Sequence, residues 1–191
     1  MAETLTGICR EVAIGYGFDR VGISRLEPDT QVVVPVAVHG LGEDALDVRL
    51  PLSESPVLEE AYRSQKLSFV DDAQSSGALP AELAQRFGVR SMFVLPLVSG
   101  GRCIGFLSGD GAGAAFALDA VEVEVLETAA AFAATLLEKS LVHDELRRLD
   151  DARARSPSPR TSCGRPSCPF TGWSARSTTA PTSFRATSWR S

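Results

Sequence analysis

Residues 90–110, RSMFVLPLVSGGRCIGFLSGD, carry the most informative pattern in the chain. Two apolar runs, 91–98 and 102–108, flank a Ser-Gly-Gly segment, and short apolar runs joined by glycines are typical of a β-hairpin. Residues 116–138, FALDAVEVEVLETAAAFAATLLE, then place apolar side chains at steps of three and four, which is the spacing of one helix face. The sequence therefore predicts a hairpin followed by a long amphipathic helix.

Shorter elements are predicted upstream of this hairpin. Pro35 interrupts a valine-rich strand, which indicates an edge position or a bulge. Ser55 before Pro56 is typical of a helix N-cap followed by proline at the first helical position. The predicted upstream elements are a helix over 3–16, strands over 18–26 and 31–39, a helix over 56–65, a strand over 67–70 and a helix over 80–87.

The final predicted helix covers residues 118–149. At 1.5 Å per residue it is about 45 Å long, which exceeds the width of a domain of this size. Its far end, VHDELRRLD, should therefore project beyond the core. Because projecting amphipathic helices commonly pair with a copy of themselves, we expect a homodimer through this helix.

The whole chain has a globular composition, with 191 residues, 44% hydrophobic residues and a net charge of -5. This charge argues against specific nucleic-acid binding. The chain has no long apolar run and no recognisable secretory signal, so we expect no membrane association. Four cysteines are too few for a disulfide framework, which favours a cytoplasmic location.

Composition changes abruptly near Asp150. Residues 151–191 contain seven Arg and one Asp, and no Leu, Ile, Val, Met, Tyr or Lys. Such a segment cannot bury enough apolar area to offset its chain entropy, so we predict a disordered tail rich in Arg, Ser, Pro and Thr. Cys163 and Cys168 in this tail lack the two further nearby ligands that a zinc site needs, and we predict no metal site.

One hypothesis for the tail is translation in a shifted reading frame. The chain has two Lys, no Asn and many Arg, which indicates a GC-rich gene. A slipped frame would move the GC-rich third codon position to the second, and such codons encode only Ser, Pro, Thr, Ala, Cys, Arg, Gly and Trp. From Ala152 to Ser191, every residue except Phe170 and Phe184 belongs to this set. An intact relative would then carry an output module in place of the tail.

The chain from Glu3 to Leu141 resembles the GAF family of small-molecule sensory domains. The strongest resemblance is a strand ending in Pro-Leu, a glycine turn, a strand with Gly105 before Leu107, and a long alanine-rich helix. The segment PLSESPVLEEAYRSQKLSFVDDA, residues 51–73, is similar to the family's helix and strand that lead to an Asp.

This resemblance implies an α+β fold with a central antiparallel sheet. The terminal helices would cover one face of the sheet, and a ligand pocket would lie on the other. We accordingly expect a GAF-like sensory domain over 1–141, the end of a projecting signalling helix over 142–150, and the disordered tail over 151–191, to which the frameshift hypothesis applies.

Eight residues are candidate ligand contacts. Asp71 and Asp72 could bind a cation or an amine, although such pairs also cap turns. Ser53 and Ser55 could line the mouth of a pocket, although helix capping is the simpler role. Four aromatic residues could stack on a planar ligand or simply pack in the core, namely Tyr62, Phe69, Phe93 and Phe106.

Known GAF specialisations fit the chain poorly. It has no Asn, which excludes the usual form of the phosphodiesterase-type nucleotide motif and leaves a divergent nucleotide pocket as an alternative. Cys9 and Cys103 lie outside the region where bilin photoreceptors attach their pigment, and they are too few for the family's methionine sulfoxide chemistry. We expect His39 to be a solvated or loop-capping residue and not a haem ligand. We therefore predict no enzymatic activity and leave the cofactor unassigned.

These observations favour a small-molecule-sensing regulatory domain of a bacterial signalling protein, and among such proteins the input part of a transcription regulator. The alternatives are a dimerisation scaffold and a sensor-kinase input domain, each without a ligand of its own. An open pocket would favour the sensor. A closed interior lined by Phe69, Phe93 and Phe106 would favour the scaffold.

Overall fold

The computed structural model describes residues 2–155 of the chain, and this part contains six strands and four α-helices. The helices are α1 (Ala2–Tyr16), α2 (Pro56–Ser64), α3 (Ala81–Arg86) and α4 (Ala120–Arg155). The strands are β1 (Arg20–Glu27), β2 (Val32–His39), β3 (Leu50–Pro51), β4 (Ser68–Val70), β5 (Met92–Ser99) and β6 (Arg102–Asp110). Two short 3-10 helices, Glu43–Asp47 and Leu52–Glu54, flank β3.

The six strands form one sheet in the order β3-β2-β1-β6-β5-β4, with every neighbouring pair antiparallel. Helices α1 and α4 pack on one face of this sheet. Helices α2 and α3 and the 3-10 segments lie on the other face. The predicted α+β fold, with a central antiparallel sheet and the terminal helices together on one face, is confirmed.

Strand β5 shows how the sheet separates two apolar cores. Successive side chains of a strand point to opposite faces. Phe93 and Leu95 therefore join the core under α1 and α4, whereas Met92 and Val94 join the core under α2 and α3. These side chains are all buried, because both faces of β5 are covered.

The predicted elements are present, with shifts of a few residues at their ends. The interruption at Pro35 is a bulge, because the pairing of β1 with β2 skips a residue between Ala37 and Pro35. Strand β3 and the two 3-10 helices were not predicted, since segments of two to five residues are too short to show a period. Helix α4 was predicted to end at residue 149 and continues to Arg155.

The end of α4 leaves the sheet. Every residue of this helix from Val142 to Arg153 is exposed. The division of the chain into residues 1–141, 142–150 and 151–191 remains a prediction, and the predicted disordered tail lies outside the described residues from 156 onward. Within residues 2–155, no helix combines the length and apolarity needed to cross a membrane.

Candidate functional site

A cavity of about 140 Å³ lies on the face of the sheet opposite α1 and α4. Its floor is formed by β1, β2 and β6, with Met92 at the adjoining end of β5. Its roof comes from the segment that follows β2 and from Phe87 at the end of α3. The complete lining is Arg20, Val21, Gly22, Ser24, Pro35, Val38, Leu41, Ala45, Val48, Phe87, Met92, Ser108, Gly109 and Asp110.

The floor is open because three adjacent positions carry small side chains. Gly22 of β1 pairs directly with Ser108 of β6, and Ser24 lies two residues further along β1 on the same face. Neighbouring positions of this face carry large residues, including Leu26 and Phe106, and these are buried in the core. A cavity therefore forms where glycine and serine replace the large residues of the surrounding layer.

Gly22 leaves open space and has no special backbone requirement. A methyl group placed on it would lie 3.7 Å from Ser108 Oγ and 3.7 Å from Val38 Cγ1, which are ordinary contact distances. Its φ angle lies outside the left-handed region. Larger residues would therefore fit the backbone here and would occupy the cavity.

An ion pair closes one end of the cavity. Arg20 Nε donates to Asp110 Oδ1 at 2.7 Å, Arg20 Nη2 donates to the same oxygen, and Arg20 Nη1 donates to the Phe87 carbonyl. The two side chains are only 11% and 14% exposed. Burial raises the pKa of Asp110 above its usual value, while the hydrogen bond from Arg20 acts in the opposite direction.

Three oxygen atoms at this cavity accept no hydrogen bond from any described residue. Asp110 Oδ1 accepts from Arg20 and from the Ala112 backbone N–H at 2.8 Å, whereas Asp110 Oδ2 has no such partner. The hydroxyl groups of Ser24 and Ser108 likewise make no hydrogen bond within residues 2–155. The cavity thus offers several acceptors beside an apolar wall, an arrangement suited to a small ligand that carries donors.

None of the eight predicted contacts lines this cavity. Ser53 is exposed, while Ser55 is buried at the N-cap position of α2. The Ser55 hydroxyl donates to the Ala78 carbonyl at 3.2 Å and so ties α2 to a distant loop without capping its own helix. The prediction that these serines contact a ligand stays a prediction.

The predicted aspartates face solvent and take part in local structure. Asp72 accepts hydrogen bonds from the Gln74 and Ser75 backbone N–H groups and from the Ser75 hydroxyl, the last at 2.7 Å. That hydroxyl is the main cause that lowers the pKa of Asp72. Asp71 is also exposed, and its carbonyl accepts from the Ser91 hydroxyl. This is the turn-capping role considered for such a pair.

The four predicted aromatic residues are divided between the two faces. Phe93 is fully buried under α1 and α4, and Phe69 packs against Phe116 at a centroid distance of 5.4 Å on that side. Phe106 is buried in the opposite core, where it pairs with Ser24 beside the cavity. Tyr62 is exposed and lines a separate groove. The structure does not bring these four rings together.

The residue pattern of β1 contains a sequence signal for the cavity. In β1, the alternation of RVGIS places Val21 and Ile23 toward one face and Gly22 and Ser24 toward the other. A half-buried strand with glycine and serine on its second face indicates space there. The partner of Arg20 was not recognisable, because Asp110 lies 90 residues away in sequence.

The two described cysteines are free and lie away from the cavity. Cys9 is a buried residue of α1, and burial raises the pKa of its thiol to about 12. Burial also raises the pKa of Cys103, which lines the groove that contains Tyr62. Within residues 2–155, no group of three or more His, Cys, Asp and Glu side chains is placed to hold a metal ion.

The chain is similar in sequence to one family of domains and in fold to its solved members. A family model described as the GAF domain matches residues 1–138. No curated protein matches the chain.

Three solved structures illustrate the similarity of fold. The GAF domain of an Acinetobacter phosphoenolpyruvate-protein phosphotransferase superposes with a TM-score of 0.64 at 19% identity, covering 74% of this chain and 84% of that one. The blue-light-absorbing PixJ GAF domain of Thermosynechococcus elongatus gives 0.59 at 20% identity, with 82% and 94% covered. A type II free methionine-R-sulfoxide reductase of Thermoplasma acidophilum gives 0.60 at 19% identity, with 72% and 92% covered.

Proposed function

This chain belongs to the GAF domain family, and we propose that it is a small-molecule-sensing regulatory domain of a bacterial signalling protein. In this proposal the cavity over β1 and β6 is the ligand site, and α4 transmits the response. The observation that carries it is the cavity itself, where unpaired oxygens of Ser24, Ser108 and Asp110 adjoin apolar side chains.

The size of the cavity limits the ligand. A volume of about 140 Å³ is similar to that of an engineered cavity of about 150 Å³ that holds benzene. It is smaller than the range of about 300–1,000 Å³ typical of sites for drug-sized molecules. We therefore expect a ligand with a single ring or its equivalent, and we do not expect an intact nucleotide or a bilin.

Strand β6 supplies a physical route from the cavity to α4. Ser108 and Asp110 face the cavity, whereas Leu107 packs in the core that includes Leu126 and Leu137 of α4. A ligand can change the position of α4 only if it binds two arrangements of these elements with different affinity. Displacement of β6 by the ligand would meet that condition, because close-packed cores transmit small shifts.

We also propose that the chain forms a homodimer through α4, the helix that transmits the response. Six large apolar side chains of this helix are exposed, namely Val121, Val125, Phe132, Val142, Leu146 and Leu149. They fit one heptad repeat, and its remaining positions hold Thr128, Thr135 and Lys139. We call these nine residues the α4 stripe.

A second copy of the chain is the partner that matches the α4 stripe. The stripe extends from residue 121 to 149, which is about 42 Å of helix at 1.5 Å per residue. A strict seven-residue repeat fits another helix with the same repeat, and a copy of α4 provides one. Lys139 inside the stripe would select the register at some cost in stability.

We propose a regulatory and not a catalytic role. Within residues 2–155, no cysteine lines the cavity, so the chemistry named for the Thermoplasma reductase has no thiol there. The ionisable groups at the cavity are Arg20 and Asp110, which already bind each other. Among signalling proteins we favour the input part of a transcription regulator, with a sensor kinase as the alternative.

A thermal-shift screen of the full chain tests the sensory proposal. The compounds are amino acids, aromatic acids, small amines and nucleobases, each at millimolar concentration. The test variant is Gly22→Val, which fills the cavity from the floor. The matched control is Ser68→Val, which introduces the same residue on a strand that does not line the cavity.

We expect at least one compound class to raise the melting temperature of the wild type and of Ser68→Val but not of Gly22→Val. At 100 times its dissociation constant, such a ligand adds about 2.7 kcal/mol to the unfolding free energy. If no class shifts the wild type, or if Gly22→Val responds as the wild type does, the cavity is not a sensory site. The dimerisation scaffold would then be the better interpretation.

A further inference from the structure

We propose that the ligand of the cavity is a small organic ammonium compound whose apolar body is about the size of one ring. Its ammonium group would lie between Ser108 and Asp110. This inference rests on the proposed sensory function and adds the chemical class of the ligand.

The hydrogen-bonding groups at the cavity call for a donor. As a carboxylate oxygen, Asp110 Oδ2 can only accept, and the Ser108 hydroxyl accepts from no described residue. An ammonium group carries three N–H donors and no acceptor. Two of these donors match the Asp110 and Ser108 oxygens, and the third can donate to water.

The register of the sheet brings the oxygens of Ser108 and Asp110 to one place. Ser108 and Asp110 are alternate residues of β6 on the same face, so their Cα atoms are about 7 Å apart and both side chains can reach one ammonium group. Ser24 pairs with Phe106, four residues from Asp110 along β6, so it lies further along the cavity floor.

The charges at the cavity disfavour an anionic ligand. Arg20 is the one cationic side chain in the lining, and each of its three guanidinium nitrogens donates to Asp110 or to the Phe87 carbonyl. Asp110 contributes a partly buried carboxylate, and its second oxygen is open to solvent and has no partner among the described residues. A carboxylate or phosphate ligand would have to displace Asp110 from Arg20 to gain a counter-charge, whereas an ammonium group adds to the existing pair.

The remaining walls require an apolar body on the ligand. Pro35 and Val38 contribute from β2, and Leu41, Ala45 and Val48 contribute from the roof. A fully polar ion such as ammonium itself would leave this surface in contact with water. Burying a ring against it removes apolar surface from water, which favours binding.

Calorimetric titration of the full chain with three compounds of one shape tests the class of ligand. The probes are benzylammonium, benzyl alcohol and benzoate, which keep the ring and change the polar group. The variants are Ser108→Ala, which removes one acceptor, and Ser68→Ala, which makes the same change on β4 outside the cavity. Gly22→Val serves as the variant with the cavity filled.

We expect benzylammonium to bind and benzyl alcohol to bind about tenfold more weakly, because hydrogen bonds to charged groups are the stronger ones. Benzoate should not bind. Ser108→Ala should weaken benzylammonium binding about tenfold, Gly22→Val should abolish it, and Ser68→Ala should leave it unchanged.

The outcomes separate this inference from the proposed function. If benzoate or benzyl alcohol binds more tightly than benzylammonium and Gly22→Val abolishes that binding, the cavity is a ligand site and the ammonium class is wrong. If benzylammonium binds equally well to Gly22→Val, it binds elsewhere and the inference is overturned. If none of the three probes binds, the inference is also overturned, and the thermal-shift screen alone decides the sensory proposal.

Discussion

Two glycines in neighbouring strands have opposite roles in this domain. Gly22 faces the cavity, and a methyl group on it would meet only ordinary contacts near 3.7 Å. Gly105 of β6 faces the other side of the sheet, where a methyl group would overlap the Ser24 carbonyl oxygen and lie 2.9 Å from Leu137 Cδ2. Gly22 leaves open space at the cavity, whereas Gly105 is small because the β1 backbone and α4 both pack closely against it.

The same substitution at these glycines should therefore change stability in opposite directions. We expect Gly22→Ala to raise the unfolding free energy by about 0.5–1 kcal/mol, since alanine reduces the entropy of the unfolded chain and fits the native backbone. Gly105→Ala should lower it by about 2–3 kcal/mol through overpacking. Urea denaturation of the two variants measures both values, and equal effects would contradict the assignment of open and close-packed positions.

The two described cysteines should also differ in reactivity. Because burial raises the pKa of the Cys9 thiol to about 12, almost none of it is the reactive thiolate at pH 8. We expect iodoacetamide to leave Cys9 unmodified in the folded chain and to modify it after denaturation, as measured by peptide mass spectrometry. Modification of native Cys9 at the rate of a free thiol would mean that the face of α1 that carries Cys9 is not packed against the sheet.

The residues that form the cavity could not be predicted from sequence periodicity. Helical and strand periods predict which face of an element is buried, but the cavity depends on Gly22 meeting Ser108 across two strands. The predicted contacts Phe93 and Phe106 are large and apolar. The hydrophobic effect places such residues in the core, and both are buried there. The informative residues were small ones, which have weak individual preferences.

At the scale of elements, α4 combines two surfaces. Leu126, Ala133 and Leu137 face the sheet and are buried, whereas the α4 stripe lies on the opposite side and is exposed. Both surfaces recur at steps of three and four residues, and the exposed one keeps this alternation over nine positions, as in a coiled coil. Sequence periodicity predicted this helix and the β5–β6 hairpin well, because both are long enough to show a clear pattern.

Polar substitution in the α4 stripe should weaken the proposed dimer. We expect Leu146→Gln with Leu149→Gln to raise the dimer dissociation constant by roughly 100-fold or more, because burial of each leucine contributes about 1.5–3 kcal/mol. The matched control is Arg147→Gln with Arg148→Gln, which introduces the same residue on the same turns outside the stripe. Sedimentation velocity of the full chain measures the association.

A monomer in the wild type at micromolar concentration would contradict the dimer proposal. A dimer that both double variants weaken equally would place the interface elsewhere. In either case the cavity proposal would stand, because the cavity is formed by residues of one chain.

On the scale of the whole molecule, the sheet separates the proposed ligand site from the proposed dimer surface. The cavity and its roof lie on one face, and α1, α4 and the α4 stripe belong to the other. The fold could be predicted because the β5–β6 hairpin and α4 match a family pattern that depends on structure. The ligand could not, because members of one fold family bind different molecules through residues that the fold does not determine.

The frameshift hypothesis concerns residues 152–191 and is tested in the coding DNA. We expect codons before 152 to carry G or C mainly in the third position, and codons from 152 onward to carry it mainly in the second. A third-position bias that continues unchanged through codon 191 would contradict the hypothesis. The cavity and the α4 stripe do not depend on this result, since both lie within the described residues.

Mapping of amide chemical shifts tests the central claim, that the cavity over β1 and β6 binds a small molecule. The measurement is a ¹⁵N–¹H titration of the full chain with benzylammonium, and with the strongest compound from the thermal-shift screen. Our account predicts the largest shifts at the amides of Gly22, Ser24 and Ser108. Shifts concentrated at the groove lined by Tyr62 and Cys103, or no shifts at millimolar ligand, would contradict it.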